Sequence, residues 1–203
     1  MQFLLSTLIT ALLLSACKQS ADISPTDSRL KNTDIAKTAE PAKVEVQIKP
    51  QNKPDVINFD GFGPAKFGDN EESVRMAWGR PLTASKPAKG ATCYYLNITP
   101  NPDKKGIAFM LENAKFVRYD VKDNLQIAPG NIAVGDSADT ITQAYAQDVK
   151  SLPHKYIEGA RTLIVTPAGQ KKAKLIFEVD ADNKVMSWRI GVPPQVDYVE
   201  GCS

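Results

Sequence analysis

The chain has 203 residues, 42% of them hydrophobic and 24% charged, and a formal net charge of +2. The length allows one ordinary domain or two small ones, the apolar fraction excludes wholesale disorder, and the charge is too small for a protein devoted to a phosphate backbone, so no nucleic acid is expected. A single histidine, His154, and three cysteines leave little room for a His-rich metal site or a multi-cysteine zinc module, so neither a metal nor a cofactor is expected.

Residues 3–14 are almost wholly apolar, broken only by Ser6, Thr7 and Thr10. The run is shorter than the roughly 20 residues that span a bilayer and has the length of a signal-peptide core. It ends Leu14-Ser15-Ala16-Cys17, which resembles the lipobox of bacterial lipoproteins. The resemblance implies cleavage before Cys17, diacylglycerol on its sulfur and an acyl chain on the new amino group. Several chains anchor more firmly than one, because each buried methylene contributes about 0.8 kcal/mol. Met1-Gln2 carries no Lys or Arg, a departure from the lipoprotein pattern that keeps two alternatives open: an uncleaved hydrophobic anchor, or ordinary secretory cleavage. Lys18 follows the cysteine where Asp would imply the inner membrane, so resemblance to Gram-negative lipoproteins implies the outer one, with the domain in the periplasm.

Residues 1–16 are therefore read as signal peptide and 17–58 as a lipidated tether. The tether has no aromatic residue and no glycine, has prolines at 25, 41, 50 and 54, and carries charge of both signs. Such a segment cannot bury enough apolar surface to offset chain entropy. Some forty flexible residues reach about 35 Å on average. The alternation Val44-Glu45-Val46-Gln47-Ile48 allows a short strand within it.

The remainder divides into two similar units, 59–127 and 128–203. At an offset of 67, Phe67, Gly68 and Asp69 match Val134, Gly135 and Asp136. Val74, Ala77 and Trp78 match Ile141, Ala144 and Tyr145, each trio spaced i, i+3, i+4 on one helical face. Asp69 and Asp136 are N-cap candidates, with Glu72 and Asp139 three residues on as in a capping box. Gly79 and Pro81 stop the first helix. Strand patterns follow at 93–98, 107–112 and 115–121, then at 156–158, 162–166, 174–179 and 185–190. Turn residues stand at 112–115 and 181–184, and Lys115, Phe116 and Tyr119 match Lys184, Val185 and Trp188 at an offset of 69.

A capped helix ending near Gly79-Arg80-Pro81, followed by a strand meander, resembles the SmpA/OmlA (BamE-like) unit of envelope lipoproteins, and two such units in tandem resemble the β-lactamase-inhibitory-protein family. The resemblance implies an α+β fold of two tandem helix-plus-antiparallel-sheet units, with helices on one sheet face and the other face open. It transfers no partner.

Cys93 and Cys202 form an even pair once Cys17 is lipidated, and in an oxidising compartment they read as a disulfide tying the tail to the first unit. Pro193-Pro194 should send the tail off the last strand as an extended segment. A catalytic triad would have to use His154, in the loop-like run 151–155 with no nucleophile motif beside it, so no enzyme is expected. Lys104-Lys105 and Lys171-Lys172 read as solvated hairpin tips.

The functional candidates form a surface. Tyr94, Tyr95, Tyr119, Tyr156 and Trp188 lie on strand patterns, with Arg118 and Arg189 beside them, and aromatics and Arg dominate protein interfaces. Alternation sends half of them inward. Tyr95, Arg118, Tyr119, Trp188 and Arg189 are the expected partner-binding residues. The expected function is a membrane-anchored module that binds an envelope protein, with two alternatives: an inhibitor or immunity lipoprotein blocking a hydrolase, or a glycan-binding lipoprotein using exposed aromatics.

Overall fold

The computed structural model describes residues 56–99, 105–169 and 172–202, all within one compact unit, Val46–Ser203. The expected signal peptide, Cys17, the tether up to residue 55, and Lys104 and Lys171 lie outside the described residues.

Three two-residue strands open the fold: β1 (Ile57–Asn58), β2 (Gly61–Phe62) and β3 (Ala65–Lys66), a small antiparallel sheet. Ile57 pairs with Phe62 and both are buried, so the folded body takes in the last residues assigned to the tether. Helix α1 (Glu71–Trp78) follows, then β4 (Leu82–Ala84), β5 (Cys93–Ile98), β6 (Ile107–Glu112) and β7 (Lys115–Val121). Helix α2 (Asp139–Tyr145) precedes β8 (Val149–Pro153), β9 (Arg161–Val165), β10 (Lys174–Val179) and β11 (Val185–Gly191). The class is α+β, mostly antiparallel sheet with two helices among the described residues.

The large sheet has the order β4-β5-β6-β7-β11-β10-β9-β8. Each helix is followed by four strands, and the last strand of each set meets the other at the centre. There Val121 stands opposite Trp188, Asp120 opposite Arg189, and Tyr119 opposite Ile190. One large core cluster spans the sheet, and a smaller one holds Cys93, Met110 and Val117. The large cluster holds Val74 from α1 and Ile141 from α2, with Leu96, Phe109, Tyr119, Phe177 and Trp188 from the strands. Both helices therefore cover the same face.

The matched segments make matched bonds. Gly68 N–H donates to the Phe116 carbonyl at 2.8 Å, and Phe116 N–H to the Asp69 carbonyl at 2.8 Å; Gly135 N–H donates to the Val185 carbonyl at 2.8 Å, and Val185 N–H to the Asp136 carbonyl at 3.0 Å. The Asp69 carboxylate accepts from Lys66 N–H at 2.8 Å, and the Asp136 carboxylate from Ala133 N–H at 2.8 Å.

These bonds correct the expected caps. Asp69 and Asp136 look backward and close turns. Asn70 caps α1, its side chain accepting from Ser73 N–H at 3.0 Å, while Ala138 begins α2 with no side-chain cap. Helix α1 ends at Gly79, whose N–H reaches the Arg75 carbonyl at 3.0 Å.

Two further corrections concern the second half. Residues 156–158 form no strand, because His154 Nδ1 accepts the amides of Tyr156 and Ile157, each at 3.1 Å, and folds the chain into a turn. The strand that precedes β9 is β8 instead. The tail is not extended either: Gln195–Asp197 forms a 3-10 turn whose Val196 is buried. Cys93 and Cys202 are joined, with Cα atoms 5.3 Å apart and 109 residues between them in sequence.

Candidate functional site

Strand alternation places Tyr95, Asn97, Ala108, Arg118, Asp120, Glu178, Ser187 and Arg189 on the face the helices leave open. Register aligns them in rows. Asn97, Ala108, Asp120 and Arg189 stand side by side across β5, β6, β7 and β11, and Ser187 stands opposite Glu178 on β10. Three of these side chains are charged and nearly inaccessible, with Arg118 at 3%, Arg189 at 5% and Glu178 at 7% exposure. A buried charge needs a partner with good geometry.

Those partners are present. Arg118 Nε donates to both Asp120 carboxylate oxygens at 3.0 Å and Nη2 to Oδ1 at 2.5 Å. Its Nη1 donates to the carbonyls of Gln195 at 3.0 Å and Tyr198 at 2.7 Å. Arg189 Nη1 donates to Glu178 Oε1 at 2.6 Å, and its Nε to the Val196 carbonyl at 2.8 Å. Thr162 Oγ1 donates to Glu178 Oε2 at 2.7 Å. Burial works against the Arg118 charge, but the adjoining Asp120 carboxylate outweighs it and raises the guanidinium pKa. Burial, then the Asp120 carboxylate, raises the Tyr95 hydroxyl well above the usual phenol range.

The two arginines thus hold the tail against the open face, and the Cys93–Cys202 bond fixes its end. Gly201 lies so close to Tyr95 that a Cβ there would come within 2.7 Å of the phenol oxygen. Lys174 Nζ adds an ion pair to Asp197 at 2.7 Å, and Gln195 Nε2 a hydrogen bond to Glu112.

Between the tail and the β4–β6 end of the sheet runs a groove of about 660 Å³. Its floor includes Gly106, Ala108 and Ser187, too small to fill the space between the buried ion pairs and the sheet edge. Thr83, Thr99, Lys105 and Lys122 line one end, and His154 and Tyr156 the other; residues 199–201 of the tail form a wall. Tyr156 donates to Glu200, tying the β8–β9 turn to that wall.

Ser187, His154 and Glu178 all line this groove, yet the histidine is not set as a base for a serine. Its Nδ1 accepts two backbone amides, so Nε2 carries the ring proton of the neutral form, and that nitrogen lies 3.6 Å from Glu178 Oε2. His154 therefore positions the turn and the carboxylate. Among the described residues, no three or more His, Cys, Asp or Glu are placed to hold a metal ion. No described helix is long and apolar enough to cross a membrane, and the disulfide fits a secreted or envelope protein.

The expected partner-binding set is dispersed. Tyr119 and Trp188 are sealed in the core on the helix side, at 0% and 1% exposure, so neither can present a ring to a partner. Their rings pack edge-on at 6.1 Å, and Tyr119 donates to the Asn58 carbonyl at 3.0 Å. Arg118 and Arg189 line the groove, with most of their donors engaged by carboxylates and tail carbonyls. Tyr95 lines it half-buried. Tyr94 faces the helices and donates to Glu71 at 2.8 Å. Tyr156 alone of the five aromatics is well exposed, in a turn.

No protein-family model matches the chain, and no curated protein matches it. Three solved structures are similar in shape. An uncharacterized protein, YfeY, from Escherichia coli shares 14% identity over 67% of this chain and 98% of its own, with a TM-score of 0.44. A DUF4309 family protein, YjgB, from Bacillus subtilis shares 13% over 70% and 86%, with a TM-score of 0.40. An extracellular protein containing an SCP domain, from Bacillus anthracis, shares 10% over 77% of this chain, with a TM-score of 0.43; the chain spans half of that protein's length.

Proposed function

We propose that this chain is a lipid-anchored envelope protein, held in the outer membrane through Cys17, whose periplasmic domain binds a partner protein in the groove on its open sheet face. Two units of the SmpA/OmlA kind, fused in tandem and sharing one sheet, make up that domain. The paired hydrogen bonds of Gly68 with Phe116 and Gly135 with Val185 support the duplication. The observation that carries the binding role is the groove itself. A hollow of about 660 Å³, lined by polar and apolar groups, is within the size range of ligand sites, and it sits over the paired charges Arg118–Asp120 and Arg189–Glu178.

The glycan reading weakens on the same geometry. Sugar rings stack on free aromatic faces, but Tyr119 and Trp188 are buried, Gly201 abuts Tyr95, and Lys155 lies over the Tyr156 ring at 4.8 Å. The experiment places a photo-crosslinking residue at Asn97 in cells. A defined adduct is expected, lost when Ser187→Leu fills the floor and absent when the crosslinker sits at Gln143 on α2. Equal yields from Asn97 and Gln143 would overturn the groove as the site. Radiolabelled palmitate incorporation abolished by Cys17→Ala tests the anchor.

A further inference from the structure

Resting on that reading of the groove, we infer that the group it recognises on its partner is a carboxylate, presented by an extended peptide segment and held by Arg189, Ser187 and Lys122.

The charge balance of the groove points there first. Arg118 is neutralised by Asp120 and Arg189 by Glu178, each pair in direct contact. Glu200 is engaged by Tyr156 and lies 3.6 Å from Lys155. What remains along the groove is Lys122 and Lys105, neither of which makes an ion pair among the described residues. Asp123, close to Gly106 and accepting from Leu125 N–H at 3.0 Å, offsets only part of that charge. The hollow is therefore cationic at its β4–β6 end, and a cleft with charge of one sign concentrates ligands of the other.

Donor geometry points the same way. Arg189 is 95% buried and lines the groove, and two of its three nitrogens are used, Nε on Val196 and Nη1 on Glu178. Its Nη2 makes no hydrogen bond among the described residues. Ser187 lies two residues before it on the same strand and so on the same face, with a hydroxyl that makes no hydrogen bond among the described residues either. Lys122 follows Val121, which pairs with Trp188, so it stands at the next register position, beside Ser187. A guanidinium edge, a hydroxyl and an ammonium are thus carried by neighbouring positions on the open face, all three residues lining the groove, and donors of this kind bind carboxylates with charge-assisted hydrogen bonds. Asn97, Thr83 and Thr99 continue along the groove with amide and hydroxyl groups suited to a peptide backbone.

Four blocked peptides and one sugar acid test this by calorimetry on the full chain in detergent. The probes are acetyl-tetraalanine as free acid and as amide, acetyl-Ala-Ala-Glu-Ala-Ala-amide and its Gln twin, and a galacturonic acid trimer. At least one acidic peptide should bind tenfold or more tighter than its neutral twin, weaken as salt rises, and lose that advantage in Lys122→Gln. Ser187→Leu should abolish binding while its circular dichroism and melting temperature stay near those of the parent. Equal binding of acid and neutral twins, or no binding by any peptide, overturns the carboxylate; tighter binding of the galacturonic acid trimer overturns the peptide source. A groove adduct at Asn97 in cells, found alongside failure of the acidic peptides, separates loss of this inference from loss of the groove.

Discussion

Arg118 shows how a buried charge is made tolerable. Its three nitrogens make five hydrogen bonds, to one carboxylate and two tail carbonyls, so the side chain is at once an ion pair and a clamp. Removing its partner leaves an uncompensated cation under the tail. Asp120→Ala should destabilise by about 3 kcal/mol, read from urea denaturation. A loss under 1 kcal/mol would show that the tail carbonyls alone satisfy the guanidinium. Two phenols give a second prediction at this scale. Burial, then the bond to Glu71, pushes Tyr94 up to about 12, and burial alone pushes Tyr145 to about 12. At the other end of the Tyr94 bond, burial pushes the Glu71 carboxyl up, but Tyr94 and Arg75 outweigh it and hold it below the usual carboxylate range. Unfolded phenols ionise near 10. The folded protein therefore keeps phenol protons that the unfolded chain loses, so these two phenols lower stability between about pH 10 and 12, while the depressed Glu71 contributes stability that is lost only in the acid range. Denaturation midpoints at pH 8, 10 and 11.5 check the trend, and Tyr94→Phe should flatten part of it.

At the scale of elements, the turns before the two helices carry a sharp expectation. Asp69 and Asp136 each accept one backbone amide three residues back, in the same way. Asp69→Ala and Asp136→Ala should each cost about 1 kcal/mol, by similar amounts. Asn70→Ala should also cost about 1 kcal/mol, through the cap of α1. A neutral Asp136→Ala beside a costly Asp69→Ala would break the structural parallel. The sequence marks Asp69 and Asp136 as cap candidates and does not show that Asn70 takes that role at α1. Asp69 and Asn70 are both good caps, and the choice is made by Phe116 on β7, whose N–H takes the Asp69 carbonyl. The long strands β5, β6, β7 and β10 are legible in the alternation, because half their residues face a core. Strand β8 is not, since as an edge strand it buries nothing fully, and β1–β3 are too short to show a period. The groove is hidden for a different reason. Its floor includes Gly106, Ala108 and Ser187, small residues with no signature, and its wall comes from residues 199–201, far along the chain from the strands it faces. Aromatic residues are common in interfaces, but Tyr119 and Trp188 sit at the phase of their strands that faces the helices.

For the molecule as a whole, the junction of β7 with β11 matters most. It joins the two four-strand sets into one sheet over one core, so neither set should unfold alone. Trp78 and Trp188 report on the two sides. Single-tryptophan variants, Trp188→Phe and Trp78→Phe, should each give a fluorescence transition that coincides with the loss of circular dichroism in the same variant. Transitions at separate denaturant concentrations would show two independent bodies. The covalent link between Cys93 and Cys202 has a consequence for when the protein becomes competent. One side of the hollow is made by the last few residues of the chain, and until the two sulfurs are oxidised only non-covalent bonds keep those residues in place. Under the proposed binding role, a reduced chain presents an unfinished site, and oxidation of the two sulfurs completes it.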